Sequence, residues 1–387
     1  MISIIKVRAV KRVLLSVFLI CCFDIHAAAV SDQQQALFNQ VKKLYQAGDK
    51  QSAQQQLEQA IEKVDTNKLA ARPFLYQSHL LLVKFLAKNA EYTSQLQVLQ
   101  KVMALLNQWQ LGKTVDAVTV QQNIAQVLLQ LGQEKKAIDA FKESLQLAWL
   151  VYSAKDLRIS NILLSLAKAH ANRLQVEISE RYFTEIETAL EGQTGKQVEL
   201  MRGRLLQAKG ELVFRQVKTK QAVEFYRQAL KQREQLLGTE HLETAQTISS
   251  LAGAVKGLHE FSEADELYRR AFAIYEKALG AEHPFIATLL NNIGQLYYLE
   301  GRYQESEKVL LRAIAIKKQR LGEEHPLLAD SYNHLGYLYY LLEKDELALE
   351  LFAKAIKTWS SPQFFRPRYA ASAEIWVAVI HHRQGQS

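Results

Sequence analysis

Along most of the chain, apolar residues recur three and four positions apart, with polar residues filling the intervals. The stretch 284–299 is representative. Ile286, Leu289, Leu290, Ile293, Leu296 and Tyr297 recur at helical spacing, behind a Pro284 that sits where a first helical residue needs no donor. Glu300-Gly301-Arg302 breaks the pattern, the glycine being suited to a left-handed cap, and a second helix from Tyr303 presents Val309, Leu310, Ala313 and Ile314. The two segments predict a helical hairpin, which cannot cover its own apolar side and needs neighbours to stack against. Leu, Ala, Gln, Glu and Lys dominate and clustered Val/Ile/Thr alternation is missing, so the fold class is all-α.

The hairpin recurs. Leu237-Gly238-Thr239-Glu240-His241, Leu279-Gly280-Ala281-Glu282-His283 and Leu321-Gly322-Glu323-Glu324-His325 are spaced by 42 residues. Ala245, Ala287, Ala329 and Ala371 are in step, as are Gly210, Ala252, Gly294, Gly336 and Ala378, and Ala229, Ala271, Ala313 and Ala355. Small residues at matched places let two helices approach closely, and a fixed period of this size means a solenoid.

Ile293-Gly294, Tyr297, Gly301, Tyr303 and Ala313-Ile314 resemble the tetratricopeptide-repeat consensus. The 42-residue length, Leu-Gly-x-Glu-His-Pro, Asn291-Asn292 and Tyr297-Tyr298 are similar to the kinesin-light-chain type of that repeat. The match is strong over 196–362. Looser copies run through Leu37, Leu44, Gly48, Ala53 and Leu57, and through Ile124, Leu128, Gly132, Ala137 and Phe141, while 70–108 and 156–191 keep only the periodicity. The resemblance implies a right-handed α-solenoid of about eight helix-turn-helix hairpins with a C-terminal capping helix. Divergent repeats would occupy 31–195, clear repeats 196–237, 238–279, 280–321 and 322–362, and the cap 363–387. With no second helix after it, the cap should present a wet outer face through Arg366, Arg368, Glu374, His381 and Arg383.

The first 29 residues change the picture. Lys6, Arg8, Lys11 and Arg12 precede an 11-residue apolar run, Val13 to Phe23, and then Ala27-Ala28-Ala29. That order predicts a secretory signal peptide cleaved before Val30, and the run falls short of the ~20 residues that cross a bilayer. The expected location is periplasmic or secreted, with a retained anchor as the lesser reading and no stable membrane span after cleavage. Both cysteines, Cys21 and Cys22, lie in this leader, so the mature chain offers no disulfide, thiolate metal site or Cys nucleophile. The leader also carries +3 of the formal charge of +8, and the +5 that remains is too dilute to argue for nucleic acid.

Glu240-His241, Glu282-His283 and Glu324-His325 are the most tempting chemistry, but they recur once per hairpin. They therefore stand about 10 Å or more apart, too far to share an ion. Each His is expected to close the loop between hairpins and lead into the next helix. His381-His382 point about 100° apart on a helix and chelate poorly. No phosphate loop, His-Glu-x-x-His or Gly-x-Ser-x-Gly occurs, so the chain reads as a binding protein without cofactor or metal and not as an enzyme.

The remaining surface is the concave wall formed by the first helix of each pair. Counted from the in-step small residue, it carries Arg204, Gln207, Glu211, Phe214 and Arg215, then Ser249 and Lys256, then Asn291, Gln295 and Tyr298, then Asn333, Tyr337 and Tyr340. Asn and Gln bond a peptide backbone in either sense, and Tyr adds apolar area with a polar tip. In kinesin-light-chain repeats the equivalent Asn positions grip ligand backbone, and the resemblance carries this to Asn291 and Asn333, with Gln207 and Ser249 in the corresponding places. The expected binding set is Asn291, Asn333, Gln295, Tyr298, Tyr337, Tyr340, Lys256 and Arg215, for a protein or extended peptide. Arg204, Arg215, Lys256 and Arg383 mildly favour acidic ligands. Tyr297 and Tyr339 are expected in the core. The alternatives are a regulatory or accessory subunit of an envelope enzyme encoded separately, and a cytoplasmic nucleic-acid-associated repeat protein, which the leader opposes.

Overall fold

The computed structural model describes residues 31–88, 91–361 and 367–385. The leader, its cleavage point, both cysteines, Arg366 and the Arg368 side chain lie outside that description. Among the described residues the regular structure is helical throughout. The chain divides into two compact units between Phe85 and Leu86.

The first unit contains α1 (Asp32–Gln46), α2 (Lys50–Glu62), a short 3-10 turn (Leu69–Ala71) and the start of α3 (Arg72–Lys88). Ser31 caps α1 by a reciprocal capping box with Gln34. Phe38 stacks on Phe74 at 5.5 Å between ring centroids, and Tyr45 lies flat on Phe85 at 4.0 Å.

In the second unit α4 (Tyr92–Gln108) precedes a series of hairpins: α5 (Val115–Gln130) with α6 (Glu134–Val151), and α7 (Leu157–Asn172) with α8 (Val176–Leu190). Then follow α9 (Lys196–Arg215) with α10 (Thr219–Leu237), and α11 (Leu242–Gly257) with α12 (Phe261–Leu279). The series ends with α13 (Pro284–Leu299) and α14 (Tyr303–Leu321), α15 (Pro326–Leu341) and α16 (Asp345–Trp359), and α17 (Pro367–Arg383). From α7 to α16 each first helix packs on its own partner, and from α7 to α17 each first helix touches the next first helix in the series. The first helices thus form the inner, concave layer.

Three local devices build each repeat. His241, His283 and His325 are helix N-caps, their Nδ1 atoms accepting from the backbone N–H of Glu243, Phe285 and Leu327 at 3.1–3.2 Å. The loop before each cap needs Gly238, Gly280 or Gly322 with φ of 85–88° and ψ near 160°, a region open only to glycine. Within the hairpin, a Cβ on Gly210 would stand 2.7 Å from Tyr226, and one on Gly294 2.6 Å from Leu310, so the in-step small residues are what let the two helices touch.

The turn inside each hairpin needs one left-handed residue. Gly301 fills it at φ 76°, whereas the preceding repeats use Val217 at 64° and His259 at 65°. Val217 is β-branched and 84% exposed, so nothing offsets a strain of roughly 1 kcal/mol.

A fourth device joins one repeat to the next. Arg233, Tyr275, Lys317 and Trp359 occupy one matched position, four residues after the in-step Ala229, Ala271, Ala313 and Ala355. Arg233 Nη1 donates to the Glu243 carbonyl at 2.8 Å and to the Thr247 hydroxyl. Lys317 Nζ donates to the Leu327 carbonyl at 2.9 Å and the Ser331 hydroxyl at 3.0 Å. Tyr275 instead meets Phe285 with ring centroids 6.2 Å apart, and Trp359 meets Tyr369 at 5.6 Å. All four reach ten residues ahead, alternately by a cation and by a ring.

The outer side of the cap is exposed and mixed in character: Glu374 and Arg383 face solvent, and Ile375, 61% exposed, stands with Val379, Ala371 and Ala378, which are exposed as well. Ala378 holds the place where Gly210, Gly294 and Gly336 meet Tyr226, Leu310 and Phe352 of their own second helix, and no second helix covers it among the described residues. The inner side is packed, through Ala370, Ala373 and Ile380.

Candidate functional site

Each concave helix offers three matched positions to the wall. Three residues before the in-step small residue stand Gln207, Ser249, Asn291 and Asn333. One residue after it stand Glu211, Gly253, Gln295 and Tyr337, and four after it Phe214, Lys256, Tyr298 and Tyr340. The periodicity of the chain thus becomes rows of side chains along the wall, and the rows differ in chemistry from one end to the other.

At α7–α11 the wall is an ionic network. Arg204 clasps Glu243 with two hydrogen bonds of 3.0 and 2.5 Å, and Arg233 lies 3.6 Å from the same carboxylate. The bond from Arg204 holds the Glu243 carboxyl below the usual carboxylate range, with the charges of Arg204 and Arg233 adding to it. Lys168 pairs with Glu211 at 3.2 Å, and Gln207 accepts from the Thr247 hydroxyl at 3.0 Å. A polar cavity of about 330 Å³ opens here, with Gln122, Gln126, Asn161 and Gln246 on its rim.

At α13–α17 the wall is aromatic. Tyr298 donates to or accepts from His334 Nδ1 at 3.3 Å and stands edge-on to Tyr337 at 5.2 Å between centroids. Tyr337 and Tyr340 both pack on Trp376, at 4.7 and 5.0 Å. Arg383 lies 4.7 Å over the Tyr340 ring and bonds Asp345. Burial and the ammonium groups of Lys256 and Lys317 push the His334 pKa down to about 3, so the imidazole is neutral at any physiological pH.

The expected binding residues divide accordingly. Asn291 is buried and Asn333 half-buried, and the Oδ1 atoms of both are shielded from solvent without a donor among the described residues. Gln295 accepts from Lys256, itself buried, and burial pushes that amine down to about 8. Tyr337 and Tyr340 line the wall as half-buried members of the aromatic row, and Arg215 is exposed at the end of α9.

Tyr298 departs from expectation. It is 6% exposed and belongs to the packed row, whereas Tyr297 is half-buried under the Arg302 guanidinium at 3.8 Å. Tyr339 is also only half-buried, its hydroxyl donating to Glu307 at 2.7 Å. The wall folds in on itself at Tyr298 because His334 and Tyr337 of the next repeat supply a polar and an apolar partner together.

The structure adds residues that the sequence reading passed over. Arg233 and Lys317 were signalled by Thr247 and Ser331, the matching hydroxyls that face them, where the aromatic junctions carry Leu289 and Ala373. One further contact had no local signal. His325, already bonded through Nδ1, has its Nε2 2.6 Å from the carbonyl of Gln130, 195 residues earlier. With Nδ1 accepting, Nε2 carries the proton and donates.

Tandem helical hairpins with a side-chain-rich concave wall define a scaffold for protein–protein interaction. The chain is a tetratricopeptide-repeat protein: a family model described as tetratricopeptide repeat matches residues 203–277, 258–319 and 285–361, and a second of the same description matches 118–148. No curated protein matches the chain. Among solved structures, the apo form of the quorum sensor NprR from B. thuringiensis is similar, at 17% identity and a TM-score of 0.57, over 92% of this chain and 94% of that one. A Rap protein complexed with Competence and Sporulation Factor aligns at 16% identity and 0.51, over 92% and 100%. A signal transduction ATPase with a tetratricopeptide-repeat sensor from Pyrococcus horikoshii aligns at 14% identity and 0.52, over 94% of this chain and 51% of that one. These likenesses establish the fold. Among the described residues, no helix is long and apolar enough to cross a membrane.

Proposed function

We propose that the protein is an exported scaffold whose concave wall takes up an extended segment of a partner protein. The observation that carries this reading is the pair Asn291 and Asn333, matched along the concave wall, whose shielded carboxamide oxygens have no donor among the described residues, so that a bound segment can satisfy them once the carboxamides turn outward. Neighbouring first helices lie about 10 Å apart, which an extended chain covers in about three residues, so successive repeats can accept from one peptide backbone in register. A Rap protein of the same fold was solved with Competence and Sporulation Factor bound, so the architecture admits a bound partner. Export rests on the basic, apolar and small-residue order of residues 6–29.

The test is a photoreactive residue in place of Tyr340, a half-buried member of the wall, in the full chain in intact cells. A discrete polypeptide adduct in the envelope fraction is expected, reduced at least about tenfold in the double variant Asn291→Ala/Asn333→Ala, the loss of one or two hydrogen bonds. Adducts indifferent to those substitutions would remove the groove reading. Full-length protein confined to the cytoplasm would remove export.

A further inference from the structure

The repeat register exposes a gap in the wall. In α11 the positions that hold Gln207, Asn291 and Asn333 elsewhere hold Ser249, and Gly253 stands where its counterparts are Glu211, Gln295 and Tyr337. Two side chains of the row are thereby cut back to almost nothing. The result is a notch of about 560 Å³ between the ends of α9, α11 and α13, within the range of small-ligand sites.

Its chemistry is lopsided. Lys256 lines the notch, buried, with the Gln295 carboxamide as its hydrogen-bond acceptor and no carboxylate within 4.0 Å among the described residues. The buried Arg233 has Glu243 at 3.6 Å and the buried Lys317 has two acceptors, the Leu327 carbonyl and the Ser331 hydroxyl, whereas Lys256 has the one carboxamide. A second polar group is also unsatisfied: the Tyr268 side chain is fully buried, its hydroxyl has no partner among the described residues, and it lies 3.5 Å from where a Cβ on Gly253 would be. The rest of the lining includes apolar surface, and Phe214 and Leu299 are both exposed large hydrophobics.

We propose that this notch binds a carboxylate joined to a compact apolar body, the Lys256 ammonium pairing with the carboxylate and the Phe214 and Leu299 side chains covering the body. A buried ammonium gains most from an anion that brings its charge into the same low-dielectric space, and carboxylate accepts from both an ammonium and a phenol. The proposal rests on the concave wall being the binding surface, but it is independent of Asn291 and Asn333. The carboxylate can belong to the end of a protein chain or to a free organic acid, and the test separates them.

N-acetyl-phenylalanine, its amide and phenylacetate are titrated into the full chain, with binding read by ligand-observed NMR. Wild type is expected to bind N-acetyl-phenylalanine about tenfold more tightly than the amide, the ratio one charge-assisted bond supports. Lys256→Gln should abolish that preference. Gly253→Gln, which restores the side chain of the neighbouring repeat and whose Cβ meets only the Tyr268 hydroxyl at ordinary contact distance, should abolish binding of every probe while the circular dichroism stays native. Phenylacetate binding as well as N-acetyl-phenylalanine assigns the site to free acids, and weaker binding assigns it to chain ends. Equal binding of acid and amide to wild type, a preference that survives Lys256→Gln, or no probe binding at millimolar concentration overturns the proposal. The double variant Asn291→Ala/Asn333→Ala should bind the probes as wild type does, so a failure of partner capture alone is distinguishable from a failure here.

Discussion

Arg233 and Lys317 cross their junctions by donating hydrogen bonds to a carbonyl and a hydroxyl of the next repeat. Tyr275 and Trp359, at the same place in the alternate repeats, cross by ring contact. The two solutions have opposite energetic character. A ring gains on burial, roughly 2–3 kcal/mol of transfer free energy plus up to about 1 kcal/mol from ring–ring contact. A cation loses several kcal/mol of hydration and recovers it only if each donor finds an acceptor. Geometry is therefore common to all four junctions, while the source of stability is not. What the repeat requires at this position is reach, and the chemistry at the tip decides how the junction responds to truncation and pH.

Truncating a ring should have the largest effect. Trp359→Ala is expected to cost about 3–5 kcal/mol and to release α17, since Trp359 is the ring on which Tyr369 sits. Hydrogen exchange should show 367–383 losing protection while 284–299 keeps it, and uniform loss across both would contradict a junction-by-junction stack.

Removing a cation should cost less and be rescuable. Arg233→Ala strips partners from the Glu243 carbonyl and the Thr247 hydroxyl, an expected loss of about 2–3 kcal/mol in urea unfolding. Arg233→Tyr with Glu243→Phe and Thr247→Leu, which copies Tyr275, Phe285 and Leu289 of the aromatic junction, should recover most of it. If it recovers nothing, the two chemistries are not interchangeable.

The cationic junction should also respond to pH, and in a lower range than the Tyr275 junction, whose phenol burial pushes up to about 12. Burial pushes Lys317 down to about 8 against 10.5 for the free side chain. Between those values the unfolded chain holds a proton that the folded chain has released, so the contribution of Lys317 to stability rises with pH over roughly 8 to 10. Lys256, also lowered to about 8, acts in the same direction. In urea unfolding the stability of wild type should climb between about pH 8 and 9, by at most ~1.4 kcal/mol per pH unit for each lysine, before the buried tyrosines, whose phenols burial pushes up, reverse the trend towards pH 10, and Lys317→Met should flatten the climb. Stability that falls between about pH 8 and 9 would contradict the burial assigned to these amines.

The smallest effect belongs to a site remote from any junction. Val217→Gly should stabilise by about 1 kcal/mol by relieving the left-handed backbone, and its effect should add to that of Arg233→Ala at the other end of the same hairpin. Non-additivity would mean that turn and junction are coupled through the helices between them.

The hairpins were legible because their determinants are local and periodic: the glycine after each second helix, the small residue in each first helix, and the apolar stripe between. The role of each His in leading into its helix was legible for the same reason. The wall was legible as rows of positions but not as an environment. Tyr298 and Tyr297 differ by one residue, and only the identity of His334 and Tyr337, 36 and 39 positions on, decides that Tyr298 is the buried one. Arg233 and Lys317 hid behind the ordinary expectation that long cations face water. Their correlation with Thr247 and Ser331 exists in the sequence but acquires meaning only once the ten-residue reach across a junction is known.

The hydrogen bond between His325 and Gln130 closes a path that runs through every hairpin from α5 to α15. Each junction along that path contributes a small rotation, and errors of rotation accumulate at the ends as backlash does along a gear train. One bond at the end of the train thus reads the sum of all the meshes. A segment wedged at any single repeat, or a change of side chain at any single junction, is transmitted to the same imidazole, which makes His325 a natural gauge of the whole coil's winding.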